Sequence, residues 1–178
     1  MKLEERSVTL RDGTRALLRS PEICDAERLN AYLRLTSAET HFMVRYPEEC
    51  NQTLETAQKR LQAMLDSERS FMLAAFIDGE LVGNCGVNEI ADRLKMRHRA
   101  SLGISIKKKA WGLGLGTILI SRALEQAKEN GLRRWNWACL PITSAPSIFT
   151  GSSALPRWAA SQRHFCSKTA RTATRRRW

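Results

Sequence analysis

The stretch from Ser101 to Gly131 limits what this chain can fold into more than any other. It opens S-L-G-I-S-I-K-K-K and continues A-W-G-L-G-L-G-T-I-L-I-S-R-A-L-E-Q-A-K-E-N-G. Leu102, Ile104 and Ile106 alternate with Ser101, Gly103 and Ser105, the period of a half-buried strand. Lys107 to Ala110 end that run, and Gly112, Gly114 and Gly116 follow at every second position. From Thr117 the period changes. Ile118, Leu119, Leu124 and Ala127, with Ile120 and Ala123 between them, form one helical stripe, and Asn130-Gly131 is a helix stop. The order is strand, glycine loop, helix.

Glycines let the backbone turn tightly and let a ligand approach where a Cβ would stand in the way. The first turn of the helix adds unpaired N–H groups and the positive end of the dipole. Together these make a site for phosphate or diphosphate. A tight strand-to-helix turn with no ligand is the plainer alternative. The nucleotide P-loop is excluded, because no Lys follows Gly114 or Gly116 as G-x-x-x-x-G-K-[ST] requires. The dinucleotide fingerprint G-x-G-x-x-G fails too, since Thr117 stands at its third glycine.

W-G-L-G-L-G-T-I-L resembles the acyl-CoA loop of the GNAT N-acetyltransferases, whose pattern is Gln or Arg, two residues, Gly, any residue, Gly or Ala. Gly114 and Gly116 match its glycines, whereas Trp111 stands where Gln or Arg is usual. The W-G-x-G-x-G form is similar to the branch related to ribosomal-protein and small-molecule acetyltransferases. The resemblance implies that acetyl-CoA is the co-substrate. It implies that backbone from Trp111 through Gly112, Leu113, Gly114, Leu115, Gly116 and Thr117 holds the diphosphate. It also implies that Ile104, Ser105 and Ile106 pair with the pantetheine arm.

The rest of the chain agrees as far as residue 134. Val8–Leu10 and Ala16–Leu18 flank Asp12-Gly13 as a hairpin. Ser20-Pro21 reads as the N-cap and first residue of a helix carrying Ile23, Ala26, Leu29 and Leu33. Residues 36–51 read as irregular. Leu54, Ala57, Leu61, Met64 and Leu65 mark a second helix. Phe71–Ile77 and Glu80–Val87 read as strands joined at Asp78-Gly79, and a charged loop, Ala91–His98, precedes the central strand. The order β, β, α, α, β, β, β, α is that of an α/β (α+β) GNAT fold, a mixed central sheet flanked by helices, up to its cofactor helix. The resemblance covers roughly residues 7–134 and is sharpest at the glycine loop.

After Arg134 the composition breaks. Residues 135–178 hold seven basic residues, four of the five tryptophans and no Asp or Glu, without helix or strand period. One reading is a basic arm for nucleic acid or acidic partners. The other is translation in a shifted frame. Displaced by one base, the codons from Ala145 onward permit A-I-H-L-Y-R-K-L-G-F, then A-E-V-G-R-I-P-K-A-F-L-L-E-D-G. Backwards from Ala145 they permit V-E-L-G-V and N-N-E-R. The joined text resembles the missing last part of a GNAT domain: a strand, an N-x-x-A-x-x-L-Y helix and the G-F before the final strands. The expected organisation is therefore a GNAT domain over 1–134 and, over 135–178, its remainder out of frame after a slip near Arg133 to Trp135. The net charge of +11 then says little about partners. If the tail is translated as written, it should pack poorly and the sheet should lack its paired last strands.

Transfer of an acetyl group to an amine needs a base for the ammonium proton, N–H donors for the developing oxyanion and a proton for the leaving thiolate. In the family the thiolate's proton often comes from the Tyr of the helix after the next strand, and an Asn before that helix holds the cofactor arm. Both occur only in the shifted frame, so neither is carried over. Many relatives have a Glu near the position of Ser101. Here the nearest acidic candidate for a base is Glu89, which also reads as a solvated strand-end carboxylate. Asn84, with Asn88 and Ser105, is placed to line the amine site. His41 and Tyr46 fall in the region between the first two helices, which forms the acceptor wall in relatives.

Five scattered cysteines without C-x-x-C and three isolated histidines favour reduced thiols and no metal. Cys85 reads as a core residue. There is no apolar run of membrane-spanning length and no secretory leader pattern, so a cytoplasmic enzyme is expected, with no membrane partner. The acceptor is a primary amine of a small molecule or of a protein N-terminus, and association of copies stays open. A CoA-binding module without catalysis and a nucleic-acid-binding protein acting through the tail are the competing functions.

Overall fold

Six strands lie side by side in chain order, each next to its sequence neighbour. The computed structural model describes residues 1–137 apart from 41, 42, 44 and 92. Of the two units into which the chain divides, Met1–Ala138 holds the described residues, and Cys139–Trp178 lies outside them. Strands β1 (Arg6–Thr9), β2 (Arg15–Arg19), β3 (Phe71–Ile77), β4 (Glu80–Glu89) and β5 (Arg99–Ile106) are antiparallel in succession. Strand β6 (Arg134–Trp137) is parallel to β5 and follows the crossover helix α3 (Leu115–Glu129). Helices α1 (Ala26–Glu39) and α2 (Leu54–Asp66) fill the link between β2 and β3.

The centre of the sheet is its most apolar part. In β3, F-M-L-A-A-F-I, the first six residues are buried. Met72, Ala74 and Phe76 point to one face and join Ala26, Leu29, Tyr32, Ala57, Leu61 and Met64 of α1 and α2 in one core. The alternate residues face α3. Ala75 lies there beside Gly83, with Leu115 and Leu119 of α3 close over both. A strand covered on both faces has no polar side, which explains the unbroken run.

Asp78 and Gly79 take φ of +49° and +77°, the two positive values that a type I′ turn needs. The pairing of β3 with β4 then slips by one residue. Phe76 is opposite Leu81, but Ala75 is opposite Gly83, so Val82 is an extra residue in β4. The bulge reverses which face later β4 residues occupy. Leu81 faces α1 and α2, Gly83 and Cys85 face α3, and Asn84, opposite Ala74, returns to the face of α1.

Four expectations need correction. Ser20 does not cap α1. Its hydroxyl accepts the Leu3 N–H at 2.9 Å, and a 3-10 turn, Ile23–Asp25, precedes α1. Buried Asp25 organises this entry. It takes Arg19 on both oxygens at 2.6 and 3.0 Å and the Glu22 N–H at 2.9 Å. Burial works to raise its pKa, but the bonds from Arg19 and Glu22 outweigh it and hold the carboxyl below its ordinary range. Residues 36–39 are helical rather than irregular, because the Thr36 hydroxyl is satisfied inside α1 by the Tyr32 and Leu33 carbonyls. Helix α3 starts at Leu115, two residues before Thr117, with Gly114 as its N-cap. Finally, three residues of the tail do pair, as part of β6. The N–H groups of Arg133 and Arg134 both donate to the His98 carbonyl, at 2.9 and 2.8 Å, and set the parallel register there. The tail beyond Trp137 lies outside the described residues.

Candidate functional site

The outer edge of β5 and the loop that follows it form the site. Lys107 N–H donates to Val82 O at 2.9 Å, and Ile90 N–H donates to Arg99 O at 3.3 Å. In an antiparallel ladder these bonds recur at every second residue. Odd-numbered residues of β5 therefore turn their backbone groups toward β4, and Leu102, Ile104 and Ile106 turn theirs outward. β6 lies alongside only to Leu102, paired with Trp137. Among the described residues, no strand covers the outward groups of Ile104 and Ile106. The Ile106 carbonyl instead accepts the indole N–H of Trp111 at 2.7 Å.

Beyond β5, a 3-10 turn, Lys108–Ala110, leads to Trp111. Gly112 and Gly114 take φ of +78° and +83°, a region that L side chains rarely adopt, and Gly114 then caps α3. Ala110, Trp111 and Ile118 donate their N–H groups to Lys107, Lys108 and Gly114. The six between, Gly112 to Thr117, have no acceptor among the described residues. Leu115 and Gly116 are buried, so they offer the site backbone and no side chain. Trp111 is 44 % exposed, and Thr117 is exposed. The arrangement is an arc of free donors at the positive end of a helix, next to an open strand edge. A Cβ on Gly112 would meet nothing within 4 Å, so the space before the arc is open. An extended ligand with a diphosphate at one end and amides at the other fits this surface.

Behind β5, the bulge at Val82 brings three polar side chains together. Asn84 lies opposite Ser105 across the β4–β5 ladder. The Tyr32 hydroxyl from α1 donates to the Ser105 carbonyl at 2.7 Å and lies 2.9 Å from the Ser105 hydroxyl. Burial pushes the Tyr32 phenol above its ordinary pKa, which favours its neutral form as a donor. The Asn84 side-chain oxygen is buried with no hydrogen-bond partner among the described residues. Lys107 Nζ reaches Glu80 at 2.7 Å, and Lys109 bonds the same carboxylate. These two lysines hold the Glu80 carboxyl down to about 2.

The remaining expected residues are placed differently. Glu89 ends β4. Its Oε1 accepts from Arg69 at 3.0 Å, and its N–H donates to the Ser70 hydroxyl at 3.0 Å. Tyr46 is 74 % exposed before a 3-10 turn, Pro47–Glu49, where its N–H donates to Glu49 Oε2 at 2.8 Å, and among the described residues it has no hydrogen bond to Asn84 or the glycine arc. His41 lies outside the described residues. Cys85 is fully buried, which pushes its thiol up to about 12 and suits a core residue, not a nucleophile. Among the described residues, no three of His, Cys, Asp or Glu gather into a metal site, and no helix is long and apolar enough to cross a membrane.

Sequence reasoning missed three participants. Tyr32 reads as one more residue of the Leu29–Leu33 stripe, and only its hydroxyl hints at a polar partner. Glu39, at the end of α1, accepts the Lys108 N–H at 2.8 Å and ties α1 to the loop. Arg11, in the β1–β2 turn, donates its N–H to Leu113 O at 3.1 Å. Contacts between positions so distant along the chain leave no local signal.

A strand edge left open beside a glycine-started helix is the frame of an acyltransferase that grips an extended cofactor. Residues 34–148 match the family model of the GNAT acetyltransferases, and the chain belongs to that family. Its fold matches an acetyltransferase of the GNAT family from Streptococcus pneumoniae at 31% identity and TM-score 0.68, covering 71% of this chain and 75% of that one. It also matches the ribosomal-protein-alanine N-acetyltransferase of Brucella melitensis at 21% identity and TM-score 0.63, over 74% and 78% of the two chains. A GNAT phosphinothricin acetyltransferase from Sinorhizobium meliloti, solved in complex with acetyl-CoA, matches at 17% identity and TM-score 0.62, over 75% and 70%. No curated protein matches significantly.

Proposed function

We propose that this protein is an N-acetyltransferase that moves an acetyl group from acetyl-CoA directly to a primary amine. The six free N–H groups from Gly112 to Thr117 are the observation that carries this reading. They fit the diphosphate, and the outward N–H and carbonyl of Ile104 fit an amide of the pantetheine arm. Bound acetyl-CoA supplies the activated acetyl thioester. Trp111, held on Ile106, fixes the turn from strand edge to arc. The Ile104 and Ile106 N–H groups stand on the edge where an oxyanion needs donors.

Asn84, with its unpaired oxygen, serves as an acceptor for the amine, and Tyr32 positions the strand behind it through Ser105. Glu89 is the proposed base. Arg69 engages its Oε1, and Glu89, in alternation along β4, lies on the face of the sheet opposite Asn84, so its Oε2 takes the ammonium proton through water and not directly. The reaction class needs no metal, and a cytoplasmic compartment fits it. The acceptor is a small molecule or a peptide amine, and Tyr46 and His41 are proposed as its contacts on the family resemblance alone.

Release of CoA thiol over a panel of amines, on full-length protein of confirmed mass, tests the reading. Amine-dependent release supports it, while binding of acetyl-CoA without release over the whole panel rejects it. In the same assay, Glu89→Gln should lower kcat by about 100-fold or more if Glu89 is the base. An unchanged kcat returns Glu89 to an ion pair, with the unfolding midpoint as control for the lost Arg69 contact.

The tail favours a second reading, a CoA-binding module without turnover. The family's Asn and Tyr have no counterpart in residues 135–178 as written. We attribute this to a frame slip near Arg133 to Trp135, on the strength of the composition break there and the family-like text that the shifted codons permit. Sequencing DNA across codons 130–145 decides it: one intact frame to Trp178 in the genome and the expressed gene rejects a sequencing error.

A further inference from the structure

We propose that Arg11, from the turn between β1 and β2, is a ligand for the cofactor's diphosphate, facing the glycine arc from a separate part of the chain. The proposal rests on the acetyl-CoA reading above and adds to it a residue outside the glycine motif.

Three observations carry it. Arg11 N–H donates to Leu113 O at 3.1 Å, which ties the hairpin turn to the middle of the arc. Its side chain then runs across Gly114. A Cβ on Gly114 would stand 3.2 Å from Arg11 Nε, 3.4 Å from Cγ and 3.5 Å from Cδ. Gly114 is favoured for its φ of +83°, and a Cβ there would also crowd the Arg11 stem, which would have to give by a few tenths of an ångström. The guanidinium so delivered has no carboxylate partner among the described residues. The neighbouring acid, Asp12, turns instead to the Thr14 N–H at 3.0 Å and the Thr14 hydroxyl at 2.8 Å, and it makes no ion pair with Arg11.

The electrostatics give the arrangement its direction. A cation beside the N-terminus of a helix stands at the wrong end of the dipole. Beside α3 it also adds to the positive potential of six unpaired N–H groups. Nothing in the fold of the turn requires this, since the backbone N–H of any residue at position 11 would hold Leu113. An anion between the guanidinium and the arc turns the repulsion into attraction from both sides. A diphosphate presents oxygens on opposite sides, and a guanidinium offers its donors as a fork suited to such oxygens.

The test is calorimetric titration of the full chain with CoA, 3′-dephospho-CoA and pantetheine, using wild type, Arg11→Ala and Arg11→Gln. Both variants keep the backbone bond to Leu113, and Arg11→Gln also keeps much of the stem over Gly114. Affinity for CoA and for 3′-dephospho-CoA should fall alike, by about 10- to 100-fold, while pantetheine binding stays unchanged. The loss should shrink as salt rises. Wild-type affinity for CoA in Arg11→Gln overturns the proposal. So does a loss confined to CoA, which would place Arg11 on the 3′-phosphate. Equal weakening of pantetheine overturns it as well, since that marks a general loosening of the loop. A wild-type chain that takes up none of the three ligands removes the acetyl-CoA reading and this role together, a result distinct from any selective loss.

Discussion

The β3–β4 hairpin and the segment from Lys107 to Thr117 treat their backbone in opposite ways. In the hairpin, strands pair from Phe71 opposite Val87 to Ile77 opposite Glu80, and most side chains are buried. In the segment, six consecutive N–H groups find no acceptor among the described residues, and two glycines sit at positive φ. Stability comes from satisfying polar groups, and the hairpin pairs its strands along their length, leaving only the Asn84 side-chain oxygen without a partner among the described residues. A chain that leaves a run of donors open has kept them for something outside itself. Damage to the first region should therefore cost stability, and damage to the second should cost cofactor affinity.

The largest effect should come from the hairpin. Phe71 is fully buried, and Phe71→Ala should lower unfolding free energy by about 3 to 5 kcal/mol, measured in urea. CoA affinity of the fraction still folded should be nearly unchanged. A loss under about 1 kcal/mol would mean that the hairpin does not hold the sheet together. Gly114→Val comes next and should do the reverse. A β-branched residue at a φ of +83° is strained, and here it also meets the Arg11 stem. Acetyl-CoA affinity should fall about 100-fold by titration, while stability drops by only about 1 to 2 kcal/mol. Unaltered affinity would detach the arc from cofactor binding.

The same contrast decides how much was legible in the sequence. β3 could be read because burial on both faces demands an unbroken apolar run, and Asp78-Gly79 because few residues accept two positive φ values. The glycine arc was legible for the same reason, since positive φ at Gly112 and Gly114 selects the residue type. The bulge at Val82 was not legible. One extra residue changes no composition, yet it decides that Asn84 and Ser105 meet Tyr32. The entry to α1 was misread because Ser20 is a good cap by type, while the buried Arg19–Asp25 pair fixes the turn at Ile23–Asp25. Arg11 and Glu39 escaped because their roles depend on tertiary contacts with the loop.

Trp111→Phe asks whether the turn into the arc is held by the indole N–H or by ring packing. It removes the 2.7 Å bond to the Ile106 carbonyl and keeps most of the ring. One net hydrogen bond is worth about 1 kcal/mol, so acetyl-CoA affinity should weaken about fivefold, with the unfolding midpoint nearly unmoved. A larger fall in midpoint than in affinity would assign Trp111 to the stable half of the contrast.

The smallest effect should be at the joint between the two regions, where Glu80 at the start of β4 holds Lys107 and Lys109 at the start of the loop. The lysines depress the Glu80 pKa from 4.5 to about 2 through their hydrogen bonds and their charge. A depressed folded-state pKa gives stability that is fully present above the unfolded value of 4.5. It is lost as pH falls from there toward 2. Glu80 is 48 % exposed, so solvent and salt screen the pair and its worth stays below about 1 kcal/mol. Glu80→Gln should therefore unfold slightly earlier than wild type at pH 7, and the gap should close as pH falls from 4.5 to about 2. A gap that stays constant through that window would mean that Glu80 acts by packing. The ionic link would then not be what fastens the open segment to the closed one.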